Sequence, residues 1–275
     1  MDDKTTEIEL RLLLEALFQK YCYDFRGYSM ASIKRRLFQA REHFDCRTFS
    51  QLQDRVLHDP AVLSKLLSFL TVRVSELFRN PAYFLAIREK VIPYLRTYPS
   101  IKVWVAGCGA GEEVYSLAIL FREEGLENRT MFYGTDISPE ALEKAKAGVY
   151  KLDRIPLFTE NHRQSGGKSS LSDYYSAAYQ AAIFDKNLRR RVVFSDHSLA
   201  TDGVFAEVQF ISCRNVLIYF DRELQDRAVG LFKDSLARKG FLGLGFKESL
   251  RFNRHADTFT EFARSERIYQ KRGDL

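Results

Sequence analysis

The stretch VWVAGCGAGEEVYSLAILF at 103–121 constrains this chain more than any other. A run of apolar, strand-forming residues enters Gly107, Gly109 and Gly111. A helical pattern follows, with Val114, Leu117, Ala118 and Phe121 on one face. Glycine accepts positive φ and lets a ligand approach the backbone, so three of them between a strand and a helix predict a ligand cradle. The dinucleotide fingerprint G-x-G-x-x-G requires glycine at its sixth position, where this chain has Glu112, followed by Glu113. Two carboxylates repel a pyrophosphate and attract a cation.

The surrounding sequence extends the unit. IKVWVA, TMFYGTD, RRVVFSD, VQFISC and GFLGLGF read as five strands and ERIYQKR as a terminal one. SPEALEKAKAG reads as a helix capped by Ser138, with Pro139 at its first position and Gly148 at its end. Such alternation predicts a mostly parallel sheet with helices on both faces. Residues 149–190, which include the Gly/Ser run SGGKSS, break the rhythm and read as an inserted subdomain with a flexible turn. Asp136 ends the second strand, where an acid accepts ribose hydroxyls. A glycine turn, two acids and a ribose acid together suit S-adenosylmethionine (SAM), which has adenosine and a sulfonium but no phosphate.

Residues 1–71 read as a helical N-terminal domain, and 72–100 as a linker with a connecting helix. In TEIELRLLLEALFQKY, Ile8, Leu12 and Ala16 mark the expected apolar stripe. In SMASIKRRLFQAREHF, Ser29 is the expected cap, Met30, Ile33, Leu37 and Ala40 form the stripe, and the basic residues fall mostly off it. Asn80 and Pro81 predict another helix start. Residues 20–41 hold six basic side chains against Asp24 alone, a patch suited to an acidic partner. The polar N-terminus is not a signal peptide, and no apolar run is long enough to span a membrane, so a cytoplasmic location is expected. The four cysteines lack CxxC spacing and the five histidines are dispersed, so neither a disulfide framework nor a metal site is expected.

VWVAGCGAGEEVYSLAILF, TDISPEALEKAKAGVY, ISCRNVLIYFD, LGFKESL and LTVRVSELFRNPAYF together resemble the CheR-type chemotaxis receptor methyltransferases, in the right order over nearly the whole chain. The resemblance implies a Rossmann-like class I SAM-dependent methyltransferase domain (101–275) behind a small all-α domain, with a β-subdomain inserted at about 149–190. It implies methyl transfer from SAM to receptor glutamates, giving glutamyl methyl esters and S-adenosylhomocysteine. It further implies that Arg73, Ser75 and Arg79 reach the cofactor's methionyl end. Glu112 would hold the ammonium, with Glu113 as alternate. Gly107, Gly109, Gly111, Asp136 and Ile137 would hold the adenosine, with His197, Ser198 and Leu199 beside the adenine. Arg214, Asn215 and Val216 would form the floor. Arg79, Arg214 and Tyr219 would lie at the transfer site. Lys34, Arg35, Arg36 and Arg41 would steer the cytoplasmic signalling domain of a receptor toward a monomeric enzyme. Neither nucleic acid nor membrane insertion is implied.

A glutamate side chain is already ionised at neutral pH, so such an enzyme needs no general base. Alignment of the two reactants can contribute about 7–11 kcal/mol. Other readings are a methyltransferase for another acidic protein, for nucleic acid or for a small molecule, a nicotinamide oxidoreductase, and a non-catalytic SAM-binding adaptor. Nucleic-acid amines would call for an Asn-Pro-Pro-Tyr type motif after the fourth strand, where this chain has SCRNVLIYF.

Overall fold

The computed structural model describes residues 3–71 and 75–273. Four helices come first: α1 (Asp3–Tyr21), α2 (Met30–His43), α3 (Phe49–His58) and α4 (Pro60–Leu70). Thr48 caps α3 by accepting from the Gln51 amide at 3.1 Å, and Asp59 caps α4 by accepting from Ala61 at 2.8 Å, with Pro60 next to it. Their shared core is built on Leu10, Leu13, Leu17, Ile33, Leu37 and Leu52. The expected stripe of α1 is wrong: Ile8 and Leu12 are 51% and 53% exposed, and Leu10, Leu13, Leu14 and Leu17 face inward. The run LRLLLEALF is apolar on several faces, so spacing alone does not single out the buried one. Ser29 stands at the start of α2 without a side-chain cap hydrogen bond. Met30 lies at the surface.

The connecting helix runs as α5 (Pro81–Ala86), a π-turn (Ile87–Val91) and α6 (Ile92–Leu95). The remainder is β1 (Ile101–Ala106), α7 (Glu112–Glu123), β2 (Thr130–Asp136), α8 (Pro139–Ala147), β3 (Val149–Lys151), α9 (Ile155–Gln164), β4 (Tyr175–Ala178), β5 (Ala181–Phe184), β6 (Val192–Asp196), β7 (Val208–Cys213), α10 (Arg222–Ser235), β8 (Leu236–Leu244), β9 (Phe259–Ala263) and β10 (Ile268–Lys271). The main sheet has the order β6-β2-β1-β7-β8-β10-β9. Its first five strands are parallel, and β10 lies antiparallel between β8 and β9. The sequence reading omits β9, a short strand at the edge of the sheet. Strand order reverses between β1 and β7, which opens a crevice at their C-terminal ends.

The insert forms a separate antiparallel sheet, β3-β5-β4, with α9 beside it. A buried ion cluster fastens it to α7. Arg88 donates to Glu123 at 2.5 Å and to Glu124 at 3.0 Å, and Lys168 meets Glu124 at 2.7 Å. His162 Nε2 lies 3.0 Å from Glu123 Oε1, and Tyr174 donates to the same oxygen at 3.1 Å. The SGGKSS run, expected to be a flexible turn, is held by this cluster: the Lys168 and Ser169 amides donate to Glu123. Gly167 packs so closely on His162 that a Cβ would lie 2.4 Å from the ring.

Burial pushes the Glu123 carboxyl up, but the His162 hydrogen bond and the Arg88 charge outweigh it and hold it at about 2. A depressed carboxylate stabilises the fold above its unfolded value and loses that effect as pH falls through its folded value. Glu123→Gln is expected to lower unfolding free energy by about 3 kcal/mol at pH 7. Denaturant titrations should show the gap between variant and wild type closing as pH falls below about 4.5 toward 2.

Candidate active site

The crevice at the β1/β7 reversal is a cavity of about 260 Å³, walled on one side by α2 and the end of α4. Its floor begins at the glycine turn. Gly107, Gly109 and Gly111 have φ of +69°, +55° and +92°. A Cβ on Gly107 would meet Val216 at 2.4 Å, and one on Gly111 would meet Ala145 at 2.9 Å. These two glycines therefore permit close packing of neighbouring elements. Gly109 differs: it lines the cleft, and a Cβ there would meet nothing within 4 Å, so its bare backbone faces ligand space.

Asp136 lies beneath that turn. Its carboxylate accepts from the Gly109 amide and from the Ser138 amide, each at 2.9 Å. Burial pushes its pKa up, and the backbone hydrogen bonds oppose this. On α7 the two acids part, because successive residues on a helix point about 100° apart. Glu113 lines the cleft; its oxygens accept from Ser212 Oγ at 2.5 Å and Arg214 Nη1 at 2.9 Å. Glu112 does not line it. That side chain is buried against Arg154 at 3.3 Å with Oε2 unpartnered, and burial raises its pKa. Arg154 also donates to the Ser75 carbonyl. Glu113, held in the sequence reading as the alternate, is thus the acid of the cleft wall.

Ser75, Arg79, Gly107, Gly109, Asp136, Ile137, Leu199, Arg214, Asn215, Val216 and Tyr219 all meet at this one cavity. Gly111 stays behind the turn, and Arg73 lies outside the described residues. Ser198 is turned away. Its amide donates to Asp202 at 2.9 Å and its hydroxyl accepts from Ala200, so His197 and Leu199 on either side face the cleft. Arg214 was expected to touch reacting groups. Its guanidinium is instead committed to Glu113, to the Arg79 carbonyl at 2.7 Å and to Asn80 Oδ1 at 2.9 Å, and it stacks 4.1 Å from the Tyr83 ring. Its Nε has no partner and the side chain lines the cavity, and the bond to Asn80 Oδ1 uses the side chain that would otherwise cap α5.

The basic patch is also rearranged. Arg36 is buried, donates to the Leu70 carbonyl at 2.5 Å and lies 4.5 Å over the Tyr219 ring inside the cleft. Arg41 packs against Phe38 and Phe49. Arg35 is exposed and Lys34 half-buried. Sequence reasoning gave no role to Tyr28, Leu70, Thr71 or Phe220, which complete the wall. Nor did it give one to Glu248. That buried carboxylate accepts from the amides of Gly245, Asn215, Val216 and Ile218 at 2.5, 3.0, 2.9 and 3.3 Å. The available signal was a lone acid in LGFKESL just past a strand end. Burial pushes the thiols of Cys108 and Cys213 well up, in keeping with a packing role. Among the described residues no cluster of metal-ligating side chains occurs.

The family model described as CheR methyltransferase, SAM binding domain, matches residues 73–267, and that of the CheR all-alpha domain matches 8–71. This chain belongs to the CheR methyltransferase family. It is 56% identical to a Pseudomonas putida protein named "Putative methyltransferase Cher3" over 98% of each chain. It is 31% identical to a chemotaxis protein methyltransferase of Listeria innocua, over 82% of this chain and 84% of the relative. Chemotaxis protein methyltransferase 2 of Pseudomonas aeruginosa is 26% identical over 82% and 83%. The CheR cofactor is SAM, and the residues present fit it. Gly109 leaves bare backbone on the cavity, and the carboxylates of Asp136 and Glu113 line it, which suits a cationic ligand without phosphate.

Gly109→Ala should fold with a backbone penalty of about 1 kcal/mol for its positive φ. Its methyl group would project into the adenosine space and weaken SAM binding at least about tenfold, equivalent to about 1.4 kcal/mol. Gly107→Ala should lower the melting temperature more, through its collision with Val216. Calorimetric titration with SAM alongside thermal melts checks both.

Proposed function

We propose that this chain transfers the methyl group of SAM to glutamate side chains on the cytoplasmic signalling domain of chemotaxis receptors, forming glutamyl methyl esters, and that it does so as a monomer in the cytoplasm. The observation that carries the reading is the joining of an adenosine cradle (Gly109, Asp136) to a cationic, tyrosine-bearing mouth (Arg36, Arg79, Tyr219) in one cavity. The chemotaxis methyltransferases among its relatives support the choice of receptor. Among the described residues no helix is long and apolar enough to cross a membrane.

When bound, SAM supplies an electrophilic methyl group that passes to a carboxylate oxygen and leaves a neutral thioether. The chain's own residues have three tasks. Asp136 and Gly109 fix the adenosine end, while Glu113, oriented by Ser212 and Arg214, fixes the methionyl end. Arg36 and Arg79 attract the incoming carboxylate. Their grip must stay moderate, because the ester formed is neutral and tight pairing with the reactant would raise the barrier. Tyr219, steadied by the Arg36 guanidinium on its face and by the Ser29 amide on its carbonyl at 2.7 Å, marks where the two reactants meet. A glutamate is ionised well below neutral pH, so no proton has to move.

The test is methyl transfer from labelled SAM to a receptor signalling-domain fragment. The incorporated label should be released as methanol by mild base, as a carboxyl ester requires; label that survives base would sink the reading. Tyr219→Phe is expected to lower turnover about tenfold, about 1.4 kcal/mol of transition-state stabilisation, with SAM affinity unchanged. Asp136→Ala is expected to lose SAM binding.

A further inference from the structure

The segment after β8 is built unlike an ordinary surface loop. In 245–254, GFKESLRFNR, two exposed phenylalanines each stand beside an exposed cation. Phe246 and Phe252 are 69% and 72% exposed, among the largest such values for aromatic residues in the described chain. Lys247 and Arg251 are exposed beside them, and the Arg251 guanidinium lies 5.4 Å from the Phe252 ring. Among the described residues neither cation pairs with a carboxylate; Arg254 does, with Asp226 at 3.1 Å. Arg222 donates to the Phe252 carbonyl at 3.1 Å and adds a further cation. The segment's one acid, Glu248, points inward. It gathers the Gly245, Asn215, Val216 and Ile218 amides, so it contributes no negative charge to the outer face.

The same bonds place the segment at the mouth of the cleft. Gly245 packs against Asn215, where a Cβ would lie 2.8 Å from the Asn215 nitrogen, and Asn215 and Val216 line the cavity. Ile218, next to Tyr219, is partly exposed. Two solvent-facing phenylalanines carry an apolar cost that a monomeric surface ordinarily avoids. Interleaved with unpaired cations, they match a partner that is apolar along one stripe and acidic beside it.

We infer that Phe246, Lys247, Arg251 and Phe252 form a docking plate for the substrate protein, and that its occupant is an acidic amphipathic helix flanking the glutamate to be methylated. This rests on the function proposed above and adds the surface that reads the substrate. Charge complementarity selects an acidic helix. Continuity with the cavity through Asn215 and Val216, both bonded to Glu248, selects the substrate over an unrelated protein. Because Glu248 ties the plate to the floor beneath Tyr219, a helix seated on the plate is in register with the transfer site.

The experiment uses the full chain and a receptor signalling-domain fragment, with turnover, direct fragment binding and SAM affinity measured in parallel. Phe246→Ala with Phe252→Ala should raise the KM for the fragment at least about fivefold, leaving kcat, SAM affinity and melting temperature within about twofold or two degrees of wild type. Lys247→Glu with Arg251→Glu should weaken fragment binding by about tenfold at low salt, with the difference shrinking as salt rises. A wild-type chain that methylates the fragment, with both double variants equal to it, overturns the inference alone. Loss of SAM affinity in either variant overturns it as well, since that would make the plate part of the cofactor site. Tighter binding of a single-stranded oligonucleotide than of the fragment, abolished in both variants, also overturns it. A wild-type chain that neither binds nor methylates the fragment overturns the functional reading, and the docking plate with it.

Discussion

The carboxylate of Asp136 is the cross-link on which the cleft depends. By accepting from Gly109 and from Ser138 it ties the turn after β1 to the turn after β2, and it fixes the start of α8 at the same time. Burial pushes its pKa up, so each amide donor matters in keeping it ionised. With the glycine turn held in this way, α7 leaves at a fixed angle and a fixed rotation. That rotation sends Glu113 into the cleft and Glu112 toward Arg154.

The helical N-terminal part is built into the same site. Asp221 donates its amide to the Gly27 carbonyl at 2.8 Å, Ser29 donates to Tyr219, and the Tyr28 ring packs on Phe220 at 4.9 Å. Arg36 completes the join from α2. Burial lowers the pKa of its guanidinium, and the Leu70 carbonyl and the Tyr219 face offset part of the desolvation cost. A cation placed there at such expense fits the proposed entry of a carboxylate.

Much of this was legible in the sequence because it is local. The strand-to-glycine-to-helix passage, the Ser138 and Gly148 boundaries of α8 and the acid ending β2 are all written within a few residues of where they act. What was not legible is rotation and long-range pairing. Spacing identifies a helix but does not set its angle about its own axis, so Glu112 was placed in the cleft ahead of Glu113, Arg36 looked like a surface charge, and Ile8 and Leu12 looked like core. Arg214 reads as a free cation until Glu113, Asn80 and the Arg79 carbonyl, from three distant parts of the chain, are brought to it. Ser198 falls in the same class, its polar groups being claimed by Asp202 and Ala200.

Two acids, Glu248 and Asp136, show how the cleft separates structure from ligand. A carboxylate offers about four acceptor positions. Glu248 fills its own with four backbone amides from the chain itself, so it has nothing left for a ligand and serves only to hold the floor in place. Asp136 accepts from two amides and sits in the cavity wall. A phosphate ligand would meet a buried negative charge at that point and at Glu113, whereas an adenosine that carries its charge as a distant cation meets hydroxyl-accepting oxygens first and an acid at the far end. Acids in that wall thus disfavour a phosphate ligand.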